Sequence, residues 1–305
     1  MGKSWGWKKM RTGEPPSQIR PSDRQIDTSR QRPLDSAYTD GMTQAAPLIA
    51  LNVGNTRTQL GRFEDGKLTA TERFENRNLS DLVQQVVAWW GAMDGSSGRS
   101  IVLASVNDDL AKRLTSAIED QLSVEVYRVG DDLPVPVGQQ LDPETLTGVD
   151  RLLNAAAAYD ILGQACVVID AGTAVTVDFV DGEGTFHGGA IAPGARLQLQ
   201  ALHQFTSALP EIDFRAPENE AFGRNTAEAM LQGVYFGIRG MVWKLVEQYA
   251  DRYGAYPTIV ATGGDAELLF SDDELVERVV PELTLLGIAA CVKQALRSAD
   301  EEEQG

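Results

Sequence analysis

The residues with chemistry to offer are few, and they fall at the ends of apolar runs. Asn52, Gly54, Asn55 and Thr56 follow Leu48–Leu51 in the stretch LIALNVGNTRT; Asp170, Gly172 and Thr173 follow Cys166–Ile169 in CVVIDAGTAVTVDF. Each apolar run predicts a short buried strand. Glycine admits positive φ and lets backbone N–H groups come close to a ligand, while Asn and Thr add side-chain donors. A strand ending in a polar residue and a Gly-Thr turn therefore suits an anion such as phosphate. An ordinary hairpin turn explains one such stretch equally well. The second copy alters the balance, because Asn52 aligns with Asp170, Gly54 with Gly172, and Thr56 with Thr173 after a one-residue gap. Two matched strand–turn–strand units opening the two halves of a chain predict a duplicated domain. The cleft between the copies is where a small ligand would bind.

A third group precedes the Ala- and Leu-rich run Leu152–Tyr159, which predicts a helix. Gly148, Val149, Asp150 and Arg151 stand at its N-terminus, where free N–H groups and the macrodipole favour an anion. Read singly, Asp150 is a first-turn acid or N-cap and Arg151 a surface ion pair. Composition narrows the ligand. A formal net charge of −17 and a pI near 4.5 speak against a nucleic-acid partner. A nucleotide could still bind where backbone N–H groups and a cation offset the repulsion. The cysteines, Cys166 and Cys291, sit in apolar runs and read as buried thiols of a cytoplasmic protein. His187 and His203 have no spacing that suggests a metal site or a catalytic triad. No apolar run approaches the roughly 20 residues of a membrane helix, so no membrane partner is expected.

These residues must be positioned by an α/β chain. Residues 1–46 lack apolar periodicity and read as a disordered extension, with Met42 an alternative start just before the first strand. Residues 47–165 form the first domain, 166–297 the second, and 298–305 an acidic tail. In the first domain Thr58–Phe63 and Leu68–Phe74 extend the opening strand into a meander turned at Asp65-Gly66. Helical spacing over Leu79–Trp90, with Trp90 in the core, then alternates with strands at Ser100–Val106 and Val124–Val129. In the second domain His187–Gly194 is glycine-rich and implies close backbone approaches. Asn225 caps a long helix, with Glu228 completing a capping-box variant. Gly233, Gly237 and Gly240 on that helix predict a face that meets another backbone closely. Thr262-Gly263-Gly264 ends a strand, and Leu285–Leu296 is the last helix.

Taken together, the chain resembles type III pantothenate kinases, of the superfamily that includes acetate kinases, sugar kinases and actin. The carriers are LNVGNT at Leu51–Thr56, GVDR at Gly148–Arg151, DAGTA at Asp170–Ala174, GGAIAPG at Gly188–Gly194, GRNT at Gly223–Thr226 and ATGG at Ala261–Gly264. The resemblance spans roughly residues 47–297. It implies two ribonuclease-H-like, actin-like ATPase domains with an active-site cleft between them. It further implies transfer of the γ-phosphoryl group of ATP to pantothenate, the first step of coenzyme A biosynthesis, by a homodimer using Mg²⁺ and K⁺ or NH₄⁺. By resemblance Asp150 accepts the hydroxyl proton, and Gly148, Val149, Asp150, Arg151 and Thr226 contact pantothenate. Asn52, Val53, Gly54, Asn55, Thr56, Arg57, Thr58, Gln59 and Thr173 contact ATP, and Asp170 holds the monovalent cation. No Gly-x-x-x-x-Gly-Lys-Ser/Thr loop is present, which excludes a P-loop kinase.

Two positions depart from the family pattern. Asn52 stands where the family has Asp, removing a carboxylate from a site built for a hard cation. Leu141 stands where the family commonly has Tyr. Asn52 leaves open a catalytically silent relative that binds nucleotide or a partner in regulation. Leu141 leaves open a related kinase acting on another hydroxylated acid.

Overall fold

The structure is a computed structural model, and it describes residues 46–93, 98–218 and 221–304. The expected disordered extension therefore lies outside the described residues, apart from Ala46. Strands β1 (Leu48–Val53), β2 (Arg57–Glu64) and β3 (Lys67–Glu75) form the expected antiparallel meander. Its turn has Asp65 at φ 49° and Gly66 at φ 72°, the two-residue primed geometry whose twist matches that of the flanking strands. Helix α1 (Leu79–Ala92) buries Leu82, Val83, Val86, Trp89 and Trp90, so the periodicity and the core place of Trp90 are as read from sequence. Strand β4 (Ser100–Ser105) runs parallel to β1. Helix α2 (Asp108–Leu122), capped by the Asn107 side chain, leads to β5 (Val126–Arg128).

The second half comprises β6 (Gly138–Gln139), α3 (Val149–Leu162), β7 (Cys166–Ala171), β8 (Ala174–Val180), β9 (Thr185–Pro193), α4 (Ala195–Gln204), α5 (Thr226–Tyr253), β10 (Thr258–Thr262), α6 (Ala266–Phe270), β11 (Arg278–Val279) and α7 (Leu283–Gln304). The first sheet has the order β3-β2-β1-β4-β5, and the second β11-β10-β7-β8-β9-β6. Read from its other edge, β9-β8-β7-β10-β11 repeats the first sheet strand for strand, with the same parallel and antiparallel pairings. Strands β1 and β7 even share one burial sequence along their length. The fold is α/β, made of two ribonuclease-H-like units as expected of an actin-like ATPase.

Side-chain alternation along the central strands sorts the helices. Ile49, Leu51 and Val53 face α1 and α2, while Leu48 and Ala50 face Leu285, Ile288 and Cys291 of α7. In the second sheet Val167 and Ile169 face α4, α5 and α6, whereas Cys166 and Val168 face α3. Thus α3 and α7 lie between the two sheets. They cross where a Cβ at Gly287 would come within 2.4 Å of the Leu153 carbonyl, so only glycine permits this approach. Each fully buried side chain such as Leu285 or Ile288 contributes roughly 1.5–3 kcal/mol at that seam. Cys166 and Cys291 are buried free thiols, as expected, and burial pushes both up to about 12.

The structure corrects the sequence reading at several places. Helix α7 belongs to the packing of the first sheet although it ends the chain, and β6 joins the second sheet although it precedes β7. The helix also continues beyond Leu296 through the acidic residues to Gln304. That run contains no breaker, and Arg297 and Glu301 stand at the supporting i, i+4 spacing. Within the chain Gly233, Gly237 and Gly240 of α5 meet no backbone, since a Cβ at each would find nothing within 4 Å, so the expected close approach is not made inside this chain. Glu228 forms only half of a capping box. Its N–H donates to Asn225 Oδ1 at 2.9 Å, but its carboxylate accepts from Arg215 Nη2 and from the Glu218 N–H at 3.0 Å, tying down the preceding loop.

Candidate active site

The candidate site is built from the turns that end β1 and β7. Pairing of Val53 with Thr58 closes the first turn, and the Gly54 N–H donates to the Arg57 carbonyl at 3.0 Å. Pairing of Ala171 with Val175 closes the second, with the Gly172 N–H donating to the Ala174 carbonyl at 2.9 Å. The second turn is one residue shorter, which is the gap in the sequence alignment. Both turns expose threonine, and Thr56 Oγ1 lies 3.3 Å from Thr173 Oγ1, so the duplicated turns touch. Asn55, Thr56 and Arg57 are exposed, whereas Val53 and Thr58 are fully buried and offer a ligand only their backbone. Gln59 Nε2 turns to the Pro281 carbonyl at 3.5 Å. Asn76 braces the first turn threefold. Its Oδ1 accepts from Thr58 Oγ1 at 2.9 Å, its Nδ2 donates to the Gly54 carbonyl at 2.9 Å, and its N–H donates to the Thr56 carbonyl at 3.1 Å.

Behind the turns lies a group of aspartates. Asp170 is the penultimate residue of β7, as Asn52 is of β1, and pairs with Thr176 and Thr262. Its Oδ2 accepts from Asn154 Nδ2 at 3.1 Å. Burial, with the nearby charge of Asp150, pushes its carboxyl up to about 7, the Asn154 donor opposing the rise. Asp150 occupies the first turn of α3, and its Oδ1 accepts from the Arg151 N–H at 2.8 Å. Burial raises its pKa, with that N–H and the Arg151 charge holding it back. Arg151 in turn grips Asp178. Nε donates to Oδ1 and Oδ2 at 3.2 and 3.1 Å, Nη2 donates to Oδ1, and the guanidinium lies 5.5 Å from the Phe186 ring centroid. Burial also raises the Asp178 pKa against the lowering effect of Arg151.

Glycines let the strands close around these carboxylates. A Cβ at Gly189 would fall 2.0 Å from the Val177 carbonyl oxygen and 2.5 Å from Asp178 Oδ1. Gly263, at φ +98°, occupies left-handed backbone, and a Cβ there would meet Asp170 Oδ1 at 2.5 Å. The close approaches expected of the glycine-rich stretch are present here. Leu141 lies on the same edge, its Cδ2 3.2 Å from the Cβ position of Gly188.

Asp150, Arg151 and Asp170 therefore come together, with Gly148 as the N-cap residue of α3 and Val149 packed into the core behind it. Thr226 does not join them. It opens α5, which packs on the other face of the second sheet from α3. There it lines an apolar groove of about 760 Å³ with Pro193, Leu197, Phe205, Met230 and Val234. Among the described residues no cluster of three or more His, Cys, Asp or Glu side chains could cage a metal. The donors present suit a hard cation shared with phosphate oxygens, which takes only one or two protein carboxylates.

Sequence reasoning missed Asp178, Asn76 and Asn154. Only Asp178 carried a signal, an acid inside an apolar strand, where a charge is costly unless paired.

The family model of the type III pantothenate kinases matches residues 48–248. The type III pantothenate kinase of Dehalococcoides mccartyi is 33% identical over 251 residues, covering 79% of this chain and 93% of that protein. The chain belongs to the type III pantothenate kinase family. A second type III pantothenate kinase, from Myxococcus xanthus, is 34% identical over 247 residues, covering 79% of this chain and 96% of its own length. The likeness extends to the fold of a solved Baf-family protein of Campylobacter jejuni, at a TM-score of 0.55 and 18% identity, covering 82% of this chain and 99% of that one. The type III pantothenate kinase match runs from β1 into α5 and so includes both turns and the aspartate group.

Proposed function

We infer that the protein phosphorylates pantothenate with ATP, the first step of coenzyme A biosynthesis. The observation that carries this reading, beside family membership, is the placement of the partly buried Asp150 and Asp170 together behind the two turns whose threonines touch. Phosphoryl transfer asks a protein mainly for positioning and charge neutralisation, and this arrangement suits both needs.

In our assignment the turns Asn52–Gln59 and Gly172–Thr173 hold the ATP phosphates through backbone N–H groups and the Thr56 and Thr173 hydroxyls. Asp150 accepts the proton of the substrate's primary hydroxyl as its oxygen bonds to the γ-phosphorus. The bond from that phosphorus to the β–γ bridging oxygen breaks, and ADP leaves. The raised pKa of Asp150 makes its ionised form a better proton acceptor than an ordinary aspartate. Arg151, held in place by Asp178, offers its charge to the substrate carboxylate. Asp170 with its neighbouring backbone would hold K⁺ or NH₄⁺, and Asn52 with the phosphates would accommodate Mg²⁺. When bound, these cations supply neutralisation of phosphate charge in a protein of net charge −17.

Because Thr226 lies on the far face of the second sheet, we assign its substrate contact to the site of a second copy in a homodimer. The chain has no described helix long and apolar enough to cross a membrane. We place it in the cytoplasm, without a nucleic-acid partner, on the strength of its thiols and its charge.

The test is ADP release by the purified protein with ATP, Mg²⁺ and K⁺ or NH₄⁺, with and without pantothenate. Release that depends on pantothenate is the expected result. Its absence from a preparation that still binds ATP overturns the assignment.

A further inference from the structure

The aspartate at the end of β7 is held by a buried relay that begins on the last helix. Thr284 Oγ1, in the first turn of α7, donates to Asn154 Oδ1 on α3 at 2.7 Å, and Asn154 Nδ2 donates to Asp170 Oδ2 at 3.1 Å. The direction of the relay follows from the chemistry of its ends. In the ionised form that holding a cation requires, the carboxylate can only accept, so the amide turns its nitrogen to Asp170 and its oxygen to Thr284. The hydroxyl must then be the donor. Thr284 and Asn154 are 6% and 2% exposed, so neither can exchange this partner for water without opening the seam between α3 and α7.

The other oxygen of Asp170 has a different setting. Oδ1 lies 2.5 Å from where a Cβ at Gly263 would stand and 3.5 Å from the corresponding position at Gly172. It therefore faces a slot walled by glycine backbone beside the phosphate turn. One oxygen is anchored by Asn154, and the other lies against the glycine backbone of Gly172 and Gly263.

We propose that Asn154 and Thr284 are positioning residues that fix the Asp170 carboxylate so that Oδ1 is presented to the cation and phosphates of the bound nucleotide. This rests on the assignment of Asp170 made above. The relay joins residues from α3, β7 and α7, and α7 packs on both sheets, Leu285, Ile288 and Cys291 on the first and Leu283 on the second. The two halves of the molecule must therefore be correctly seated before the carboxylate is aimed.

The test uses the full chain, a non-hydrolysable ATP analogue and KCl at constant Mg²⁺, with analogue affinity read by calorimetry as K⁺ is raised. K⁺ tightens binding in the unaltered protein. Thr284→Val keeps the volume but removes the donor, and raises the K⁺ midpoint roughly fivefold, the effect of about one lost hydrogen bond. Thr284→Ser restores it, which a purely packing role for Thr284 would not do. Asn154→Leu gives a like displacement by an independent route, and thermal melting establishes that each variant is folded. Midpoints unchanged in Thr284→Val and Asn154→Leu overturn the relay if Asp170→Asn still abolishes the K⁺ response. A full K⁺ response in Asp170→Asn overturns the assignment of Asp170 itself, and the relay with it.

Discussion

In the role proposed for it, Asp150 acts in the form that folding least favours. Its carboxyl titrates above the usual aspartate value because burial penalises the charge. Asp150 must nevertheless be ionised in the proton-acceptor role proposed for it. Turnover should therefore fall with decreasing pH while an ordinary exposed aspartate is still charged, and a pH profile of kcat checks this. Asp150→Asn should lower turnover roughly hundredfold or more, the usual scale of a general base, with ATP affinity by calorimetry nearly unchanged. Stability should move the other way. A raised folded-state pKa gives stability that is fully present below the unfolded value and lost as pH rises through the folded value. The amide imitates the neutral form and is spared that loss. The advantage of Asp150→Asn in urea denaturation should thus widen from acid to mildly alkaline buffer.

At the scale of elements, the crossing of α3 and α7 decides whether the site assembles. Both helices carry site residues on their first turns or just beyond, and Gly287 sets their separation. Gly287→Ala places a methyl group 2.4 Å from the Leu153 carbonyl, so the helices must part. A loss of about 1–3 kcal/mol is expected from overpacking, measured by chemical denaturation, together with weakened nucleotide binding. Gly91→Ala on α1 is the matched control. A Cβ there meets nothing within 4 Å, and the substitution should stabilise the helix by up to about 1 kcal/mol. The two glycines have the same composition cost in a helix and opposite consequences, because only one of them faces a backbone.

The whole molecule leaves an apolar face uncovered. Along α5 the exposed Gly233, Gly237 and Gly240 alternate with Phe236 and Trp243, 56% and 43% exposed, and Phe205 is 86% exposed over the groove that holds Thr226. Exposed apolar area of this kind marks an interaction surface. A dimer is expected by light scattering, and Phe205→Glu should yield monomers with impaired pantothenate affinity and little change in ATP affinity. An active monomer would remove Thr226 from the substrate site.

Much of this molecule was legible in its residues. The repeated strand–turn grammar around Asn52 and Asp170, the Asp65-Gly66 turn and the Asn225 cap are local features. They are encoded by side-chain alternation, glycine and short-range hydrogen bonding, and the fold reads from them. The candidate site was legible where its residues sit at the ends of such elements, as Asp150, Arg151, Thr173 and Asp170 do. Sequence periodicity also marked Gly233, Gly237 and Gly240 as unusual, but it could not say that they face outward. What only the tertiary structure decided are the pairings between distant elements. These include α7 on the first sheet, Asp178 under Arg151, the touching of Thr56 and Thr173, and the reach of Thr284 across 130 positions to Asn154. Local propensity makes a strand or a helix, but which face of one meets which face of another is settled by packing the whole core, and these contacts exist only once that packing is complete.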